Sequence, residues 1–108
     1  MTVSELVARA DLKAAALPDG EREITGVYIG DLLSWVMGRA ASGDAWITIM
    51  SNRNVAAVAT LADTACVILA EGVQPDEGVA ALAEQKGSNL LRSGASAYDT
   101  ALRLRDLL

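Results

Sequence analysis

Residues 43–76 alternate apolar runs with polar loops: GDAWITIMSNRNVAAVATLADTACVILAEGVQPD. The two runs at 45–50 and 65–70 carry no charge and are dominated by Ile, Val and other apolar residues, with Trp46 in the first. One helical segment separates them. A strand without a polar face is buried on both faces, and such strands belong to parallel sheets covered by helices. Open parallel sheets bind ligands at the carboxyl ends of their strands. Those ends fall here on Ser51-Asn52-Arg53 and on Glu71-Gly72.

The flanking sequence extends the same pattern. Thr2-x-x-Glu5 reads as a capping box opening a helix over 3–10. A strand is predicted over 12–17, a turn at Pro18-Asp19-Gly20, and a second strand within 23–29 that Gly26 breaks or bulges. Asp31 is the expected N-cap of a helix over 32–39, and Ser42-Gly43-Asp44 leads into a strand over 46–49. Asn54 is the expected cap of a helix over 55–61, followed by a strand over 66–69. Asp76 is the expected cap of the next helix, whose Val79, Leu82 and Ala83 share one face and which ends at Gly87. A short strand over 89–92 and a helix capped by Ser96 and running to 107 close the chain. The fold class is α/β. A mainly parallel sheet of about four to five strands carries helices on both faces, giving three α/β/α layers, and the first strand or two can be antiparallel or form a hairpin.

A chain of 108 residues, 52% hydrophobic, is expected to form a single domain over 1–108. The net charge of −5, with no cluster of Lys or Arg, argues against nucleic acid, which requires a basic footprint. The chain has no His and a single Cys, Cys66, placed inside an apolar run. No imidazole chemistry is available, and Cys66 reads as a small buried hydrophobe. Charges interrupt every apolar stretch near the N-terminus, and the region 55–70 is too short to span a bilayer. The expected setting is the cytoplasm, without membrane contact.

Three loops carry whatever chemistry the chain has. Ser51-Asn52-Arg53 joins a cation and hydrogen-bond donors to a helix start, a combination that can hold an anion such as phosphate. The plainer alternative leaves Arg53 solvated or paired with Glu71 or Asp76. Glu71-Gly72 offers an acceptor for a ligand hydroxyl beside a close backbone approach, or simply a turn and a cap. Ser93-Gly94 precedes a helix start in the same way. Gly26-x-x-x-Gly30-Asp31 has the spacing of neither a phosphate loop nor a dinucleotide fingerprint. Asp31, Asp44, Glu71 and Asp76 can be drawn as a carboxylate pair or Mg²⁺ site, but most of them sit at turns and helix starts, where Asp and Glu are structural. No catalytic residue, metal or cofactor is expected.

The segments LLSWVM and VAAVATL are apolar nearly all round, as helices buried on more than one side are. Trp35, Met37, Val55 and Val58 are therefore expected at an interface with a second copy, although full coverage within one chain is the alternative.

The run from Gly43 to Ile49, residues 55–59 and 65–69, and Glu71-Gly72-x-x-Pro75-Asp76 together resemble the DRTGG domain, as do residues 3–7 and Gly26-Val27-Tyr28-Ile29-Gly30-Asp31-Leu32-Leu33. The resemblance covers nearly the whole chain. Such domains stand alone as short bacterial and archaeal proteins or are attached to phosphotransacetylases and CBS-domain pyrophosphatases, and their fold is similar to the N-terminal domain of HPr kinase/phosphorylase. Where the family often has Thr-Gly-Gly this chain has Ala70-Glu71-Gly72, and where it often has Asp-Arg this chain has Asn52-Arg53. Arg53 and Gly72 thus carry over, while the aspartate and the first glycine do not. The resemblance implies a regulatory or assembly module, often homodimeric, rather than an enzyme. The expected partners are a second copy of the chain, a nucleotide or other anionic small molecule, and a protein partner of unspecified kind.

Overall fold

The computed structural model of the chain describes residues 1–108. Helix α1 (Val3–Arg9) opens with the expected capping box: the Thr2 hydroxyl accepts from the Glu5 N–H, and the Glu5 carboxylate accepts from the Thr2 N–H. Then follow β1 (Lys13–Ala16), β2 (Gly26–Ile29), α2 (Leu33–Arg39), β3 (Asp44–Thr48), α3 (Asn54–Ala62), β4 (Cys66–Leu69), α4 (Val79–Gln85), β5 (Leu90–Arg92) and α5 (Ala97–Leu107).

The strands form one sheet in the order β1-β5-β4-β3-β2. Strands β2 to β5 are parallel and lie in chain order, each step bridged by one helix. Crossovers of one hand that always step the same way fall on one face, so α2, α3 and α4 share a layer. Helices α1 and α5 cover the other face. The inward residues divide accordingly. Ala45, Ile47, Cys66, Ile68 and Leu91 meet Val3, Leu6 and Leu104 on one side. Trp46, Val67, Leu69 and Leu90 meet Val36, Val55, Ala59 and Val79 on the other. The three-layer α/β/α fold is the one the apolar runs predict.

Strand β1 is antiparallel, but it pairs with β5 across the sheet, while β2 pairs in parallel with β3, so the first two strands do not form a hairpin. Three helix caps also differ from expectation. Asp31 is not the cap of α2; that position is Leu32. The Asp31 carboxylate turns instead to the end of β3, accepting from the buried Thr48 hydroxyl at 2.8 Å and the Ile49 N–H at 3.0 Å. Asn54 lies inside α3, and it is the Asn52 side chain that turns the chain by accepting from the Asn54 N–H at 2.9 Å. Helix α4 starts at Gly78, whose φ of +84° only glycine adopts freely.

Helix α3 lies on the sheet in contact with α2 and α4. Its Val55 and Val58 are 2% and 8% exposed and already buried within the chain. This corrects their expected place at an interface: a helix apolar all round is satisfied here by a sheet and two neighbouring helices. Trp35 and Met37 remain about half exposed.

Asn89, expected in the last strand, precedes β5 and is buried. Its side-chain amide donates to the Asp19 and Ala65 carbonyls at 2.7 and 2.9 Å, and its carbonyl accepts from the Asp19 N–H at 2.9 Å. The turn between β1 and β2 is thereby pinned to the head of β4. Because Asn89→Ala takes this donor from the buried Ala65 carbonyl and releases the turn at Asp19, it is expected to lower stability by about 1–3 kcal/mol, with little change in denaturant slope, in a urea titration followed by circular dichroism.

Candidate functional site

The carboxyl ends of the parallel strands bring the three predicted loops to one edge of the sheet, and their contacts divide them into two groups. The β3–α3 loop is fastened to the β4–α4 loop. The Ser51 hydroxyl donates to the Asp76 carboxylate at 2.8 Å, and the Ser51 carbonyl accepts from the Asp76 N–H at 3.0 Å. Arg53 is exposed and makes an ion pair with neither Glu71 nor Asp76.

Glu71, Gly72, Ser93 and Gly94 form the second group. The Glu71 N–H donates to the Ala95 carbonyl at 2.8 Å, and the Gly72 N–H to the Ser93 carbonyl at 3.0 Å. The Ser93 hydroxyl is buried against the Thr100 hydroxyl at 2.8 Å. The Glu71 carboxylate accepts from the Ala97 N–H at 2.7 Å, while Ser96 accepts from the Asp99 N–H. Glu71 is therefore a cap of α5. Its charge already faces the positive end of that helix, so the helix start is not an open anion site. Glu71 and Gly72 both have positive φ, +64° and +72°. A residue with a Cβ is strained there, and at position 71 the strained residue carries a side chain long enough to reach α5.

Beside this group lies a cavity of about 210 Å³ lined by Asp11, Lys13, Gly72, Arg92, Ser93 and Gly94, with no hydrophobic residue among them. Lys13 and Arg92 are direct register partners across β1 and β5. Neither makes an ion pair. The Arg92 Nε is buried and has no hydrogen-bond partner in the protein. A buried charged donor left so costs about 1–3 kcal/mol or more. Sequence reasoning missed Lys13, Arg92 and Asp11. The charge that ends the last strand was a signal, but nothing local says that β1 lies beside it.

Other groups do not converge on this edge. Asp44 is buried and accepts from the Ala41 N–H at 2.8 Å on the opposite side of the sheet. Also at the amino ends of the strands, Arg22 pairs with Asp63 at 3.0 Å, and hydrogen bonds from Arg22 and Ser42 hold the Asp63 carboxyl below its usual range. Burial pushes the Cys66 thiol up to about 12, leaving it uncharged and shielded from reagents. No three Cys, Asp or Glu side chains gather as a metal centre would. No helix is long and apolar enough to cross a membrane.

A mainly parallel sheet covered on both faces, with polar loops gathered at its carboxyl edge, defines a three-layer α/β/α domain. The chain belongs to the DRTGG domain family, whose pattern matches residues 9–107. Among solved structures, the fold is similar to that of the CBS and DRTGG domains of the regulatory region of Clostridium perfringens pyrophosphatase, complexed with the activator diadenosine tetraphosphate. The TM-score is 0.73 at 11% identity, over 95% of this chain and 45% of that one. The chain thus spans less than half the length of that neighbour, and the likeness is one of fold. No curated protein matches the chain.

The two roles of position 71 can be separated. Glu71→Ala keeps the positive-φ strain and loses the cap, so it is expected to destabilise by about 1 kcal/mol. Glu71→Gly loses the cap but relieves the strain and should fall closer to the parent. Paired chemical denaturation of the three proteins checks that order.

Proposed function

We propose that this chain is a non-catalytic regulatory module, housed in the cytoplasm as a single domain, that self-associates at the β2 margin of its sheet. The observation that carries the reading is the number of large exposed apolar side chains along that margin, on both faces of the sheet. Val27 and Ile29 lie on β2, Leu32, Trp35 and Met37 at or on α2, and Ile49 just beyond β3; each is 40–58% exposed. Strand β2 is also an edge, with one side of its ladder unpaired. An apolar edge is a template for pairing unless charge or proline blunts it, and β2, four residues long, carries neither. A second copy presents the same edge and so satisfies a two-fold contact. Trp35 is held under the Arg39 guanidinium at 3.7 Å from its ring centroid, and Trp and Arg are the residues on which interface energy concentrates. A regulatory family, an inert thiol and dispersed carboxylates support the absence of catalysis. The parent is expected to be dimeric at tens of micromolar in sedimentation velocity, and Trp35→Glu combined with Ile29→Lys to be a folded monomer. A monomeric parent, or a double variant that still dimerises, overturns the reading.

A second reading, that the module senses a small phosphorylated ligand such as a nucleotide, is favoured by the polar cavity at the carboxyl edge. The ligand of the pyrophosphatase regulatory region gives the first compound to try. A ligand that binds only the folded chain raises its melting temperature in proportion to the logarithm of its excess over Kd. Thermal shifts with diadenosine tetraphosphate, mononucleotides and sugar phosphates are expected to single out at least one stabilising compound; a flat response across the panel removes this reading.

A further inference from the structure

The sensor reading leaves the position of its ligand open between the Arg53 loop and the cavity beside β5, and the contacts favour the cavity. Lys13 and Arg92 stand directly opposite each other in the β1–β5 ladder. Like charges in that position repel, and no carboxylate of the chain lies within ion-pair distance of either. Edge protection by lysine accounts for Lys13, but not for Arg92, whose guanidinium makes no hydrogen bond within the chain and whose Nε is buried. Part of the lining is bare backbone: Gly72 and Gly94, each with open space where a Cβ would stand, and a Gly94 N–H that no protein acceptor engages.

We propose, resting on that sensor reading, that this cavity binds the phosphoryl group of a small phosphorylated metabolite, with Arg92 and Lys13 as its cationic ligands. The planar fork of arginine matches two phosphoryl oxygens, and lysine supplies a second charge. Asp11, the only carboxylate in the lining, leaves the site net positive and faces the part of the ligand that carries hydroxyl or amino donors. At about 210 Å³, the cavity is smaller than the roughly 300–1,000 Å³ that encloses a drug-sized ligand. It takes the phosphoryl head and leaves the remainder at the surface. No hydrophobic residue lines it, and two cations and a carboxylate beside the ligand suit a polar one.

The test is a titration of the full ¹⁵N-labelled chain with inorganic phosphate, ribose 5-phosphate and ADP, with adenosine as the uncharged control. The amides of Lys13, Gly72 and Gly94 are expected to shift with the phosphorylated probes and not with adenosine. A stronger response to ADP than to ribose 5-phosphate identifies a nucleotide as the source of the phosphoryl group; equal responses identify a phosphate site indifferent to the base. Arg92→Gln and Lys13→Gln are each expected to weaken binding about tenfold or more, the loss of a charge-assisted contact, while Arg53→Ala leaves it unchanged. Lys13 is an exposed residue of an edge strand, so its variant reads the site even where Arg92→Gln fails to fold. Shifts centred on Asn52 and Arg53, abolished by Arg53→Ala, overturn the cavity and keep the sensor. Binding unaffected by both Lys13→Gln and Arg92→Gln also overturns the cavity. No shift with any probe overturns the cavity and the sensor together.

Discussion

The burial of β3 and β4 on both faces constrains everything else in this domain. Every residue of these strands is inaccessible, so neither can lie at an edge and neither face can be left to water. At roughly 25 cal/mol per Å² of apolar surface, strands of this composition have no other stable place. Two layers of helices follow, and the alternation along β3 distributes them: Ala45 and Ile47 toward α1 and α5, Trp46 toward α2 and α3. The polar side chains carried into β3 are accounted for: the Trp46 indole N–H donates to the Gly30 carbonyl at 2.8 Å, the Thr48 hydroxyl to the Asp31 carboxylate, and the Asp44 carboxylate accepts from the Ala41 N–H. The edges fall to the strands that can bear exposure, β1 with its lysine and β2 with its half-exposed face.

With the strand bodies sealed, polar groups collect where the strands end, and most of what looks like chemistry there is fastening. Ser51 and Asp76 bind each other, Asn52 closes its own turn, and Glu71 caps α5. The strain at Glu71, about 1–2 kcal/mol for a residue with a Cβ at that φ, is held by the Ala95 hydrogen bond and the Ala97 cap. What remains unspent is a short list: the exposed Arg53 guanidinium by itself and, gathered in one cavity, the Arg92 guanidinium, the Lys13 ammonium and the backbone of Gly94. Groups with no structural partner are the ones a ligand can use.

The sequence was legible where physics is local. Charge-free runs set β3 and β4, the Thr2–Glu5 box set α1, Ser96 set α5 and Gly87 ended α4, because each depends on neighbours a few residues away. Asp31 and Asp76 were misread for a nonlocal reason. Both sit where an N-cap belongs, but Thr48 and Ser51, brought from other elements, take their carboxylates. Val55 and Val58 were misplaced because an all-round apolar helix looks alike whether its second side meets α2 and α4 or a partner. The cavity was out of reach altogether: Lys13 and Arg92 are far apart in the chain, and only the antiparallel placement of β1 beside β5 makes them neighbours.

That placement also separates the two surfaces of the domain. The cationic cavity lies at the β1–β5 margin and the exposed apolar side chains at the β2 margin, with β4 and β3 between them. At about 4.8 Å per strand, β5 and β2 are some 14 Å apart. A phosphoryl group seated on Arg92 does not touch a second copy seated on β2. Influence between the two would have to pass through β4 and β3, which are buried along their whole length and, being close-packed, resist gradual deformation. The residues that link the cavity to a neighbouring element are on its own side: Glu71, Gly72 and Ser93, which hold the start of α5. A ligand at the cavity would thus act first on α5 and its seating against α1, and the assembly at β2 would be set by concentration, independent of ligand.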